Sequence, residues 1–152
     1  MSELWRIVLT AALTVVGGTI VYAGGHFLVV LFVEPIHRLR SLIGEIADSL
    51  IFYADVYSNP GSSSKARVDD TSEVLRRQAS QLMAKVHLIS WYSFWAFTRL
   101  VRKKTEIEEA HTELIGLSNS VHRSEPDLGI RNFERRKKVE ELLGIQGSRK
   151  RK

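Results

Sequence analysis

Residues Ile7 to Val33 contain no Asp, Glu, Lys or Arg, and the run is bounded by Arg6 on one side and Glu34-Pro35 on the other. Backbone amides cannot be left unpaired in hydrocarbon, so a chain that crosses about 30 Å of it does so as a helix of about 20 mostly apolar residues. The uncharged run exceeds that length, which predicts tilt or a short overhang. Residues 1–33 therefore read as an N-terminal segment holding a transmembrane helix at about 7–33. A removable signal peptide is the competing reading, because Val21-Tyr22-Ala23 ahead of Gly24 resembles a cleavage site and Arg6 supplies a weak positive start. His26 to Val33 argue against it, since they stay apolar where a mature chain would turn polar.

The remainder is long enough for one compact domain and too short for two. Its periodicity is helical. Ile36, Leu39, Ile43, Ile46, Leu50, Tyr53 and Tyr57 alternate spacings of three and four, the pattern of a coiled-coil-like packed seam. Ser58-Asn59-Pro60-Gly61 stops that helix, and the polar stretch through Asp70 reads as a loop. Asp70 and Glu73 stand at capping-box spacing for a second helix, in which Leu75, Ala79, Leu82, Val86, Ile89, Ala96 and Leu100 keep one register. Ile107, Ala110, Leu114, Leu117 and Val121 mark a third, with Glu106, Glu108, Glu109 and Glu113 on its wet side. No strand-like alternation of useful length occurs. The expected fold is all-α: one N-terminal transmembrane helix followed by a small antiparallel helical bundle. The bundle covers 34–123, with helices at about 36–57, 72–101 and 105–122 around a loop at 58–70. A short amphipathic helix, with Phe133, Val139, Leu142, Leu143 and Ile145 on its apolar side, and a basic tail fill 124–152.

Chemistry-bearing patterns are sparse. The absence of Cys excludes disulfides, thiolate metal sites and a Cys nucleophile. Glu34-Pro35-Ile36-His37 and Glu108-Glu109-Ala110-His111 have the Glu-x-x-His spacing of di-iron bundles, but Pro35 sits at a helix boundary, Arg38 and Arg40 would compete with a metal, and buried carboxylates on the other helices are missing. His111 and His122 share a helical face without a third ligand. No nucleophile elbow, phosphate loop or dinucleotide fingerprint is present. A non-enzyme without cofactor or metal is expected.

Three features point to surfaces instead. Ala11, Gly18 and Gly25 recur every seven residues with Thr14 on the same side, a small-residue stripe through which membrane helices approach closely. Leu88 to Phe97 is dense in aromatics, yet Val86 to Thr98 is too short to cross hydrocarbon without burying Lys85 or Arg99. Trp91, Tyr92 and Trp95 then belong either to the core or to a bilayer interface. The formal net charge is +5, and Arg135, Arg136, Lys137 and Lys138 together with Arg149, Lys150, Arg151 and Lys152 form basic clusters suited to anionic lipid. Nucleic acid is the less favoured partner, because no reading motif accompanies them. Arg6 alone precedes the apolar run whereas Arg38 and Arg40 closely follow it, which predicts a cell-membrane protein with a cytoplasmic domain. The function expected is an interaction or scaffold module that self-associates or binds another membrane or cytoplasmic protein. The alternative is an effector that oligomerises through its anchor to perturb the membrane, and a metal-dependent membrane enzyme is a distant third.

Overall fold

In the computed structural model, which describes residues 3–59, 61–125 and 127–145, the chain is helical throughout and the described residues form no strand. The elements are α1 (Glu3–Leu28), a π turn (Val29–Val33), α2 (Glu34–Phe52), α3 (Ala54–Ser58), α4 (Lys65–Leu88), α5 (Tyr92–Phe97), α6 (Lys104–Ser120) and α7 (Leu128–Leu143). Helix α1 is long and apolar enough to cross a membrane, and none of its side chains is buried.

The sequence reading has Glu34-Pro35 ending or kinking the first helix. The helix does not end there: the run continues from Glu3 to Phe52, interrupted in its regular bonding by the π turn at Val29–Val33. Proline has no N–H, and its ring clashes with the carbonyl four residues back, here that of Leu31. Widening the preceding turn resolves the conflict: the Glu34 N–H reaches back five residues to the Val29 carbonyl, and Pro35 falls in the first turn of α2.

Leu39, Leu42, Ile46 and Leu50 of α2 pack on Leu75, Ala79, Leu82 and Val86 of α4, which in turn meet Ile107, Ala110, Leu114 and Leu117 of α6. Helix α7 lies against α6 and α3 and adds Val139 and Leu143 to the same core, so the short amphipathic helix expected after the 34–123 bundle packs into the same body. Three of the helix contacts carry a buried polar clasp. Ser72 and Ser118 join α4 to α6 at 3.1 Å, the Gln78 amide donates to Ser49 at 2.8 Å between α4 and α2, and the Asn132 amide donates to the Tyr57 carbonyl at 2.8 Å between α7 and α3. Buried polar groups need such partners, because leaving one unmade forfeits its hydration.

Several expected boundaries move. The helix expected over 36–57 turns at Tyr53, whose N–H still reaches the Ser49 carbonyl at 3.0 Å while its backbone leaves helical space. The expected loop at 58–70 is helical from Lys65, capped by Ser64, and Asp70 is not a cap. Asp70 instead accepts from the Tyr53 hydroxyl at 2.7 Å, and Arg67 grips Asp55 through Nε at 3.1 Å and Nη2 at 3.0 Å. Those two contacts dock the first turns of α4 on α3, which local polarity does not foretell. The helix expected over 72–101 ends at Leu88 and gives way to α5, and Leu100, expected inward, is exposed. Phe133, expected on the apolar side of the last helix, is exposed as well. At the other end of α7, Gly144 takes a left-handed φ of +70°, and its N–H and that of Ile145 close on the carbonyls of Glu141 and Glu140, the usual glycine termination.

Candidate membrane-facing site

Between α4 and α6 the chain does something that heptad spacing cannot describe. Trp91 and Arg99 adopt left-handed φ values of 56° and 61°, a conformation that strains a non-glycine residue by about 1–2 kcal/mol. They bracket α5. The bracket is held by specific bonds: the Trp95 indole N–H donates to the Ser90 carbonyl at 3.1 Å, the Tyr92 hydroxyl donates to the Arg102 carbonyl at 2.7 Å, and the Leu100 N–H reaches the Trp95 carbonyl at 3.1 Å. Burial pushes the Tyr92 phenol up to about 12, with the Glu106 carboxylate adding to the effect, so it stays a neutral donor. Strain of this kind persists where surrounding structure over-determines it, and it concentrates at functional segments.

This segment presents its aromatics at the C-terminal end of the long apolar helix. The Phe32 ring lies 5.8 Å from that of Trp91 and 5.9 Å from that of Trp95, and Phe94 meets Trp95 edge-on at 5.0 Å. Tyr92 and Trp95 are half-buried and pack against the core, whereas Trp91 is 74% exposed. Leu88, Phe94 and Leu100 are exposed beside it, and Phe97 is 87% exposed. Tyr92 and Trp95 turn inward, as the core reading has them, and Trp91 turns outward. Leu88, Phe94 and Phe97 come from the aromatic-dense stretch read in the sequence, whereas Phe32, which joins Trp91 and Trp95, escaped sequence reasoning. Its one available signal was Pro35, which marks where the apolar helix meets the body. A cavity of about 280 Å³ opens at that junction between Val30, Leu31, Pro35, Leu88 and the polar Glu34, Arg38 and Lys85.

The other singled-out residues lie elsewhere. Ala11, Thr14, Gly18 and Gly25 are exposed on α1, and a Cβ added at Gly18 or Gly25 would meet nothing. The Thr14 hydroxyl donates to the Thr10 carbonyl at 2.9 Å. On α7, Arg135 faces Glu113 at 3.8 Å, Arg136 pairs with Glu140 at 2.8 Å, and Lys138 reaches Glu109 at 2.6 Å and Glu113 at 3.1 Å. Hydrogen bonds from Glu109 and Glu113 hold the Lys138 pKa above the ordinary lysine value. Three members of the first basic cluster are thus engaged with carboxylates of α6 and α7, and Lys137 is exposed; Arg149 to Lys152 lie outside the described residues. In the two Glu-x-x-His motifs, Glu34 pairs with Arg38 and Glu108 with Lys104, and among the described residues no three His, Asp or Glu side chains come together. No family model, curated protein or solved structure matches this chain.

Proposed function

We propose that α1 crosses the bilayer once and that the antiparallel bundle formed by α2, α4, α6 and α7 rests on the cytoplasmic face, acting as an interaction or scaffold module that self-associates through Ala11, Thr14, Gly18 and Gly25. The supporting observation is the contact of Phe32 with Trp91 and Trp95. It brings an exposed aromatic and aliphatic patch to the level at which the apolar run ends, where indole and phenyl rings with one wet side are at home. Ile7 to Val33 measure about 40 Å at 1.5 Å per residue, and tilt or the headgroup zone takes up the excess over about 30 Å. The hydroxyls of Thr10, Thr14 and Thr19 all donate to carbonyls four residues back, so they need no solvent on a lipid-facing helix. Arg38 and Arg40 follow the span and favour a cytoplasmic body.

The deciding measurement is the depth of Trp91 and Trp95 in a Trp5→Phe variant of the full chain, reconstituted into vesicles whose lipids carry nitroxide quenchers at chosen depths. Quenching strongest near the headgroup end of the acyl chains is expected. Fluorescence quenched by aqueous iodide and by neither lipid quencher would put the patch in water and end this reading. Exposed Phe97 also suits the effector alternative, in which the patch wedges lipids apart; release of trapped dye on reconstitution would mark that behaviour.

A further inference from the structure

Beside α2, a cavity of about 230 Å³ is lined by Arg40, Arg99 and Arg102 with the buried Leu39 and Leu143 and the exposed Leu100. No carboxylate lines it, and among the described residues none of these arginines lies within ion-pair distance of one. The cluster differs from the α7 cations, which already hold glutamates. Two of the guanidiniums are positioned by the backbone. Arg40 on α2 donates one Nη2 bond to the Leu100 carbonyl at 2.8 Å and keeps its remaining donors. Arg102 lies so close over Gly144 that a Cβ there would collide with its guanidinium, and Arg99 lines the same cavity from a left-handed φ of 61°. Gly144 thus serves two ends, the turn out of α7 and room for Arg102.

Three guanidiniums around a concavity of this size match a phosphate group, whose oxygens accept paired N–H bonds in the planar geometry that arginine offers. Location points to the source. At 1.5 Å per residue Arg40 lies about 10 Å along the helix beyond Val33, within reach of a headgroup zone of about 5–8 Å for a side chain that can lean back toward it. Leu100 is exposed at the rim, and Phe97, three residues earlier, is exposed also. From these observations we infer that Arg40, Arg99 and Arg102 bind the phosphate of a membrane phospholipid headgroup, whose chains run beside Phe97 and Leu100. This inference rests on the membrane reading given above.

The test uses the full chain in nanodiscs of phosphatidylcholine containing a minor fraction of phosphatidic acid, released for native mass spectrometry. Wild type should retain phosphatidic acid over phosphatidylcholine. Arg102→Gln should lower that retention about fivefold, and so should Arg99→Gly, which suits the left-handed backbone, at about fivefold per cation removed near the bilayer. Lys137→Gln should leave it unchanged. Helical circular dichroism on each variant verifies folding, and Arg99→Lys with Arg102→Lys retains charge while losing the planar fork. Wild-type retention in both arginine variants overturns the site while leaving the anchor intact. Displacement of the lipid by an equal concentration of glycerol phosphate overturns the lipid as the source and assigns a soluble phosphate. Extraction of the chain from membranes by alkaline carbonate overturns the anchor and this site together.

Discussion

Residues 3–33 and 34–52 belong to one continuous helical run, yet the first stretch buries no side chain while α2 buries Leu39, Leu42, Ile46 and Leu50. Hydrophobicity alone does not separate them. Helix α1 is apolar all round, so it has no face to prefer, and the described residues do not cover it. Helix α2 gathers most of its apolar residues on a stripe that its neighbours cover, leaving Ile51 and Phe52 exposed. A chain packs on itself where pattern, rather than amount, of apolar surface offers a seam; an all-round apolar helix calls for surroundings from outside the chain.

The contrast breaks most visibly at Ile46, which is fully buried, against Ile20, which is 66% exposed. Ile46→Ala should lower the stability of the helical body by about 2–5 kcal/mol, read from denaturant unfolding in detergent by circular dichroism. Ile20→Ala should leave that transition in place, and equal losses would show that α1 is packed on the body after all.

Alkaline pH sharpens the contrast next. Burial pushes the Tyr57 phenol up from 10.0 to about 12, with Glu140 adding to the rise and Arg136 opposing it. The raised value favours the neutral form in the folded state, so this contribution is fully present below the unfolded pKa. It is lost as pH rises from about 10 to about 12, at up to about 1.4 kcal/mol per unit. Tyr57→Phe, which forgoes the hydroxyl bond to the Leu50 carbonyl, should flatten that part of the profile. Tyr92, also pushed up to about 12, retains a slope of the same sign. An unchanged profile in the Phe variant would mean the ring is hydrated.

Two glycines offer a finer comparison within the body. A Cβ on Gly129 would stand 2.5 Å from the Ser58 carbonyl oxygen, whereas one on Gly116 meets only the guanidinium end of Arg135. Gly129→Ala should cost about 1–3 kcal/mol by forcing α7 off α3. Gly116→Ala should be neutral or stabilising by up to about 1 kcal/mol, since alanine suits a helix interior better. Thermal unfolding of the pair distinguishes a rigid backbone approach from a movable side chain.

Smallest for folding is Gly18→Ile, where an added side chain meets nothing within the chain. It should leave the unfolding midpoint alone and weaken crosslinking between copies, while Leu13→Ile preserves crosslinking. Equal yields would reduce the small-residue stripe to ordinary composition.

The core was legible because Leu75, Ala79, Leu82 and Val86 follow one helical period, and a period needs only local spacing. Where long-range bonds decide conformation, spacing loses its grip. Ser64 caps α4 because Arg67 and Asp70 find Asp55 and Tyr53 on the preceding helix. The register runs out at Leu100 because Trp95 takes the Ser90 carbonyl and Tyr92 that of Arg102, folding the segment back on itself. The candidate site was half visible: Trp91, Tyr92 and Trp95 stood out by density, but Phe32 joins them only through the meeting of two distant segments. Likewise Arg135 and Lys138 stood out as a charge run, while their glutamate partners on α6 depend on how α7 lies against it.

The π turn makes the long helix a keyed shaft. Its extra width accommodates Pro35 while the run stays helical from Glu3 to Phe52. A rotation of α1 is therefore passed along a continuous helix into α2. A rotation by one residue's worth, about 100°, would swing the body through the same arc and carry Trp91 and Phe97 around the axis. Copies that met through a fixed side of α1 would then present their bodies at a fixed azimuth, so that angular phase, rather than mere proximity, would be what one end of the molecule communicates to the other.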